Sequence, residues 1–218
     1  MQGIIKHIRW KIAQWFERKW WKNYLYHRAP AEYSQWKMQY WENFLYKIQM
    51  PKDMVRQPVI DIGCGPAGIF MLFSEYTITA IDPLLEVYEK DLSVFSKNSY
   101  PHVKFIATSF ESFQTSETFA TVFCINALNH FIDLKASILK LQSLTKDGGC
   151  TVVSLDAHNY PFFKFFFRII PFDILHPHQY DLNEYEMMLR SFGFSVQRKV
   201  FLKKRFFFNY WAFVLERK

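Results

Sequence analysis

The sequence predicts an α/β fold: a doubly wound, mainly parallel seven-stranded sheet with an N-terminal helical lid. Three observations predict it. From Pro58 onward, short β-type runs alternate with helix-like stretches, which implies a parallel sheet wrapped on both faces. The final two runs are joined closely enough to be antiparallel neighbours. The first fifty residues instead carry apolar positions at helical spacing. At 218 residues the chain is long enough for one domain with a full core and an appended helical segment.

Residues 1–50 read as two basic, aromatic helices separated at Pro30. Ile5, Ile8, Ile12, Trp15, Phe16 and Trp20 recur at helical spacing, as do Tyr33, Trp36, Tyr40, Trp41, Phe44 and Ile48. Residues 1–28 hold seven Lys or Arg against one acid, Glu17, while the rest of the chain holds 20 basic and 19 acidic residues. Nearly all of the net charge of +7 therefore belongs to this segment, and it needs a partner. Two readings stay open. Either the Trp and Ile stripe packs on the domain as a lid with its cations solvated outside, or the segment lies on an anionic membrane surface. Nucleic acid is not expected, because the chain lacks a recognised binding module.

Residues 51–218 form the second part. Strands are expected in "PVIDIG", "TITAID", "HVKFIA", "FATVFCIN" and "CTVVSLD", with helices near 69–75, 84–97 and 134–144. An aromatic insert follows at 160–175, "YPFFKFFFRIIPFDIL". As a helix, 162–170 would be only ~13 Å long, too short to span a bilayer. Lys164 and Arg168 would share one face and leave Phe163, Phe166, Phe167 and Ile170 on the other, the pattern of an amphipathic lid over an apolar acceptor site. Next comes a helix in "DLNEYEMMLRSFGF", where Asp181 and Glu184 make a capping box and Gly193 a stop. The strands "SVQRKVFL" and "FFFNYWAFVLER" end the chain.

Composition narrows the function classes. Cys64, Cys124 and Cys150 are odd in number and far apart, against a disulfide framework or a zinc site, so a reducing cytoplasm is expected. His158, His176 and His178 match no compact ligand spacing, and no metal is expected. Lys6, Arg9 and Lys11 interrupt the N-terminus before any run reaches signal-peptide length, and no later run approaches a membrane span. One fifth of the residues are aromatic, more than a core of this size needs, so some are expected to face a ligand, lipid or partner.

The first strand runs into "DIGCGPAGIF". Gly63, Gly65 and Gly68 satisfy G-x-G-x-x-G, whose glycines let backbone turn tightly against a ligand. Asp61, two residues ahead, is an unfavourable neighbour for a pyrophosphate and a suitable one for a cationic ligand. Asp82 ends the second strand about twenty residues on, where a carboxylate can accept from ribose hydroxyls.

With these residues in place, the sequence from Val59 onward resembles the class I S-adenosylmethionine-dependent methyltransferases, specifically the small-molecule and quinone-type branch, with their Rossmann-like fold. "VIDIGCGPAG" looks like the first motif, "TAIDP" the second and "VKFIATSFESF" the third, where Ser109 stands in a slot that usually carries an acid. "FATVFCINALNHFID" resembles the fourth, with Ala120 where an Asp is common and Leu128 and His130 kept. "LTKDGGCTVVS" and "HPHQYDLNEYEMMLRSFGF" resemble the turn into strand five and the lead into the last helix. The resemblance implies that S-adenosylmethionine, giving S-adenosylhomocysteine, is held by Asp61, Gly63, Cys64, Gly65, Asp82, Pro83, Ser109, Phe110 and Asn126. It implies His130 as general base. The acceptor is expected to be a lipophilic small molecule methylated at oxygen, touching Phe163, Phe166, Phe167, His178, Tyr33 and Trp41. Alternatives are N- or C-methylation, a catalytically silent cofactor- or partner-binding subunit, and a nicotinamide oxidoreductase. The expected location is the cytoplasm, with the membrane's inner face as the place of any peripheral contact.

Overall fold

A computed structural model describes residues 2–25, 28–159, 178 and 180–218, and for residues 2–11 and 13 the backbone alone. Seven strands form one sheet in the order β3-β2-β1-β4-β5-β7-β6. They are β1 Val59–Ile62, β2 Ile78–Ile81, β3 Val103–Ile106, β4 Phe119–Ile125, β5 Thr145–His158, β6 Phe194–Lys204 and β7 Phe208–Arg217. β1 to β5 pair in parallel, and β7 runs antiparallel to β5 and β6. β1 and β2 are buried at every position, as parallel strands covered on both faces must be.

Five α-helices are described: α1 Gln2–Leu25, α2 Pro30–Lys47, α3 Leu85–Asp91, α4 Leu134–Leu144 and α5 Leu182–Ser191. One face of the sheet packs Phe70, Phe73, Phe123, Val152 and Val214 with Trp41, Phe44, Leu45 and Ile48 of α2. The other packs Ile60, Ile62, Phe119 and Phe213 with Ile138 and Leu141 of α4 and Tyr185 and Leu189 of α5. α5 starts as expected: Asp181 Oδ1 accepts the Glu184 N–H at 3.0 Å and Glu184 Oε2 accepts the Asp181 N–H at 2.9 Å. Gly193 then turns out of the helix at φ +89°.

Four expectations change. The helix at 69–75 is replaced by two short 3₁₀ turns, Gly65–Ala67 and Ile69–Leu72. Gly68 between them is extended, the Asp61 carboxylate accepts the Phe70 N–H at 3.4 Å, and Phe73 leaves helical geometry at ψ 52°. The helix at 84–97 ends at Asp91, because Leu92 is extended and the Glu89 carboxylate takes Ser96 Oγ and the Lys97 N–H into a turn. β5 begins five residues early, with a bulge opposite Phe119 to Thr121. The insert at 160–175 lies outside the described residues.

The fourth change concerns α1. Of its stripe, Ile12, Trp15, Phe16 and Trp20 are exposed, whereas Leu25 is buried and Trp21 and Tyr24 pack on the core. The rotation is set by α3. Arg18 pairs with Asp91 at 2.6 Å and the Tyr88 hydroxyl donates to Glu17 Oε1 at 3.1 Å, which turns the neighbouring stripe outward.

Candidate active site

The C-terminal ends of the parallel strands open into a cleft of about 1010 Å³, roofed by α1 and α2. Ligands bind outside the carboxyl ends of the strands in open α/β sheets. At the end of β1 the chain turns through Gly63 at φ +67°, and a Cβ there would lie 2.5 Å from Ala127 Cβ. Gly65, at φ +59°, lines the cleft with Gly63 and Cys64 beneath Trp21 of α1. Only glycine takes these positions without strain.

Two carboxylates and one lysine surround this turn. Asp82 Oδ2 accepts the Gly65 N–H at 3.0 Å and Oδ1 the Leu84 N–H at 2.8 Å, leaving a further lone pair on each oxygen at the cleft wall. Burial pushes its pKa up to about 7, the Glu17 charge adds to the rise, and the two N–H groups oppose it. Asp61 lies behind the turn, buried, with Oδ2 accepting the Phe70 N–H at 3.4 Å; burial pushes it too up to about 7. Lys37 reaches in from α2, its ammonium 4.6 Å from the ring centroids of Tyr40 and Trp41. Burial lowers its pKa to about 8 against the opposing pull of Asp61. The Cys64 thiol is pushed well above its ordinary pKa by burial and by Asp82, so it stays protonated.

The loop after β3 forms the next wall. Phe110 is buried against Phe131, ring centroids 4.9 Å apart, and Lys140 of α4 donates to the carbonyls of Phe110, Glu111 and Phe113. Ser109 exchanges hydrogen bonds with Ser112, and the Glu111 carboxylate accepts the Ile132 N–H at 2.8 Å. Both residues line the cleft.

Across from the glycine turn the wall is polar. Asn126, at φ +55°, donates its N–H to Ser154 Oγ at 2.9 Å, and Ser154 Oγ shares a 2.6 Å hydrogen bond with the Tyr210 hydroxyl. Burial, with Tyr40 beside it, raises the Tyr210 pKa, so the phenol keeps its proton. Arg205 pairs with the buried Asp156 at 3.3 Å and lies 5.9 Å from the Tyr210 ring centroid. His130 closes a 3₁₀ turn, Leu128–His130, directly after β4, and His178 is fixed by a 2.6 Å hydrogen bond between Nε2 and the Phe131 carbonyl.

The cleft thus brings together Gly63, Cys64, Gly65, Asp82, Pro83, Ser109, Phe110, Asn126, His130, His178 and Trp41 among the expected site residues. Asp61 stands one layer behind it. Tyr33 does not reach the cleft: α2 turns it into the core, buried beside Tyr24 and Trp36. Phe163, Phe166 and Phe167 lie outside the described residues. Sequence reasoning missed Lys37, Tyr40, Glu17, Asp156, Arg205 and Tyr210. Lys37 carried a signal, since it lies four residues from both Tyr33 and Trp41 and so shares their helix face.

A family model described as a methyltransferase domain matches residues 55–169, more than half of the chain. Over 104 residues the chain is 25% identical to a ubiquinone biosynthesis O-methyltransferase of Rickettsia felis, covering 47% of this chain and 42% of that protein. The chain thus spans less than half the length of the curated relative it matches. Among solved structures it is similar to the N-methyltransferase NodS of Bradyrhizobium japonicum in complex with S-adenosylhomocysteine (13% identity, 84% of this chain and 86% of that one, TM-score 0.59). It is also similar to the magnesium protoporphyrin IX methyltransferase ChlM of Synechocystis with bound S-adenosylhomocysteine (17% identity, 83% of each chain, TM-score 0.59).

Proposed function

The chain belongs to the methyltransferase domain family; from that premise we propose that it is an S-adenosylmethionine-dependent methyltransferase whose acceptor is a lipophilic or aromatic small molecule methylated at oxygen. The observation that carries this reading is the continuity of one cleft from the glycine turn and Asp82 to His130, His178 and Tyr210. The curated relative, an O-methyltransferase, supports oxygen.

The residues at the turn fit the cofactor. Gly63, which has no room for a Cβ beside Ala127, brings bare backbone to the cleft, Asp82 offers lone pairs suited to two ribose hydroxyls, and Lys37 supplies a half-buried cation suited to a carboxylate. Trp21 and Phe110 offer apolar surface on either side. When bound, S-adenosylmethionine supplies a methyl group on a positively charged sulfur. The protein's part is to align an acceptor oxygen and keep water out, which is where most of the rate in such a displacement arises. α1 and α2 roof the cleft and exclude solvent. His130 accepts the proton of the acceptor hydroxyl as oxygen becomes the nucleophile. Tyr210, held protonated and anchored on Ser154, orients that hydroxyl by hydrogen bonding. No helix among the described residues is long and apolar enough to cross a membrane.

The test offers the pure protein labelled S-adenosylmethionine with a panel of lipid-soluble phenols and their matched anilines. Label should appear as an aryl methyl ether. Label confined to nitrogen, to protein or to RNA would overturn the assignment.

A further inference from the structure

Two exposed patches that play no part in methyl transfer flank the cleft mouth. The first is the outer face of α1. Ile12, Trp15, Lys19 and Lys22 follow one another at steps of three and four residues and so share a face, opposite Trp21 and Leu25 on the inner one. Trp15 is 55% exposed, with the Lys19 ammonium 5.2 Å from its ring centroid. The second is the tip of the β6–β7 hairpin, where Lys203, Lys204 and Arg205 precede Phe206, which is 74% exposed. Asn159 ties this tip to the end of β5, its N–H donating to the Phe207 carbonyl at 3.1 Å and its side chain to the Arg205 carbonyl at 3.0 Å. The tip therefore sits at the end of the sheet where the cleft opens, and Arg205 is part of the cleft wall. Phe16 and Trp20 of α1 line that same cleft.

Both patches mix aromatic or aliphatic side chains with lysine and, among the described residues, carry no outward acid of their own. From Lys199 to Asn209 there is no Asp or Glu, and Glu17, the only acid of α1, is taken by Tyr88. Cores of protein interfaces are depleted in lysine, and a second copy would set like charges against one another. Aromatic rings beside lysines are what the headgroup layer of an anionic bilayer takes up: the rings seat at the apolar boundary and the ammonium groups face lipid charge. We propose that the cleft mouth docks on an anionic bilayer surface, with Trp15 and Phe206 among the headgroups and Lys19, Lys22, Lys203 and Lys204 against their charge. The purpose of such docking, collection of a lipophilic acceptor, rests on the function proposed above; the docking itself rests on the two patches.

The experiment sediments the full chain with vesicles of phosphatidylcholine, alone or mixed with phosphatidylglycerol, while S-adenosylhomocysteine affinity is titrated in parallel. The chain should follow the mixed vesicles and stay behind with the neutral ones. Lys203→Glu/Lys204→Glu should weaken vesicle partitioning by about tenfold or more, and Trp15→Ser and Phe206→Ser by several-fold, all with unchanged S-adenosylhomocysteine affinity. Equal sedimentation of variants and parent, or no preference for anionic vesicles, overturns the proposal. So does a parent dimer that Phe206→Ser dissociates, or RNA binding that the lysine variant abolishes while vesicle binding persists. A parent that binds vesicles but no S-adenosylhomocysteine would instead sink the functional reading and leave the docking surface standing.

Discussion

The two ends of the cleft are built differently. At the glycine turn, backbone does most of the work: Asp82 is clasped by the N–H groups of Gly65 and Leu84, and Asp61 by that of Phe70. At the far end, side chains hold side chains across long stretches of sequence, as in Ser154 with Tyr210 and Asp156 with Arg205. A backbone-clasped site changes little when neighbouring side chains vary, whereas a side-chain network can be retuned one residue at a time. The first suits a constant cofactor and the second a family-specific acceptor.

Substitutions should separate the two ends. The largest effect is expected for His130→Ala, a loss of about 10²–10⁴ in kcat with S-adenosylhomocysteine affinity intact. An unchanged kcat would remove the general-base role. Asp82→Ala should act on the opposite property, weakening S-adenosylhomocysteine by roughly 10–100-fold in a calorimetric titration, since hydrogen bonds to a charged group are lost. Tyr210→Phe should raise the acceptor KM by about tenfold or less, the contribution of one neutral hydrogen bond, and leave cofactor affinity alone; a matching loss of cofactor affinity would show that the two ends are not separable.

The smallest effect is on stability. Asp82 rises from 3.8 to about 7 on folding, so between those values the folded state holds the extra proton and stability falls as pH rises through the window. Asp82→Asn removes that penalty. Its thermal midpoint should exceed the parent's at pH 8 and converge with it near pH 4. A variant no more stable at pH 8 would show that the backbone clasp already offsets the burial of this charge.

The same contrast explains what was legible in the sequence. The strands, the glycine turn, Asp61, Asp82 and the α5 capping box were readable because each depends on residues close in sequence or on a periodic pattern. The helix expected beyond Asp91 failed because the Glu89 carboxylate takes the Lys97 N–H into a turn, and the one after β1 because the backbone leaves helical geometry at Phe73; periodicity registers neither. Tyr33 and Trp41 looked equivalent on one stripe, and both are buried in the core, yet only Trp41 also reaches the cleft wall. Tyr210 and Arg205 come from the last hairpin, and only the antiparallel return of β7 beside β5 brings them to the site.

The contacts of α1 with α3 also bear on how firmly the roof of the cleft is held. Glu17 and Arg18 are adjacent and both bond α3, Glu17 accepting from the Tyr88 hydroxyl and Arg18 giving two N–H groups to Asp91, beside the packing of Trp21, Tyr24 and Leu25 on the core. Arg18 is half-exposed, and an ion pair in that setting contributes about 0.2–1 kcal/mol. A catch of that strength shifts an opening equilibrium by about fivefold at most. The polar contacts to α3 thus add little to the hold on this part of α1, which rests on the burial of Leu25 and the packing of Trp21 and Tyr24.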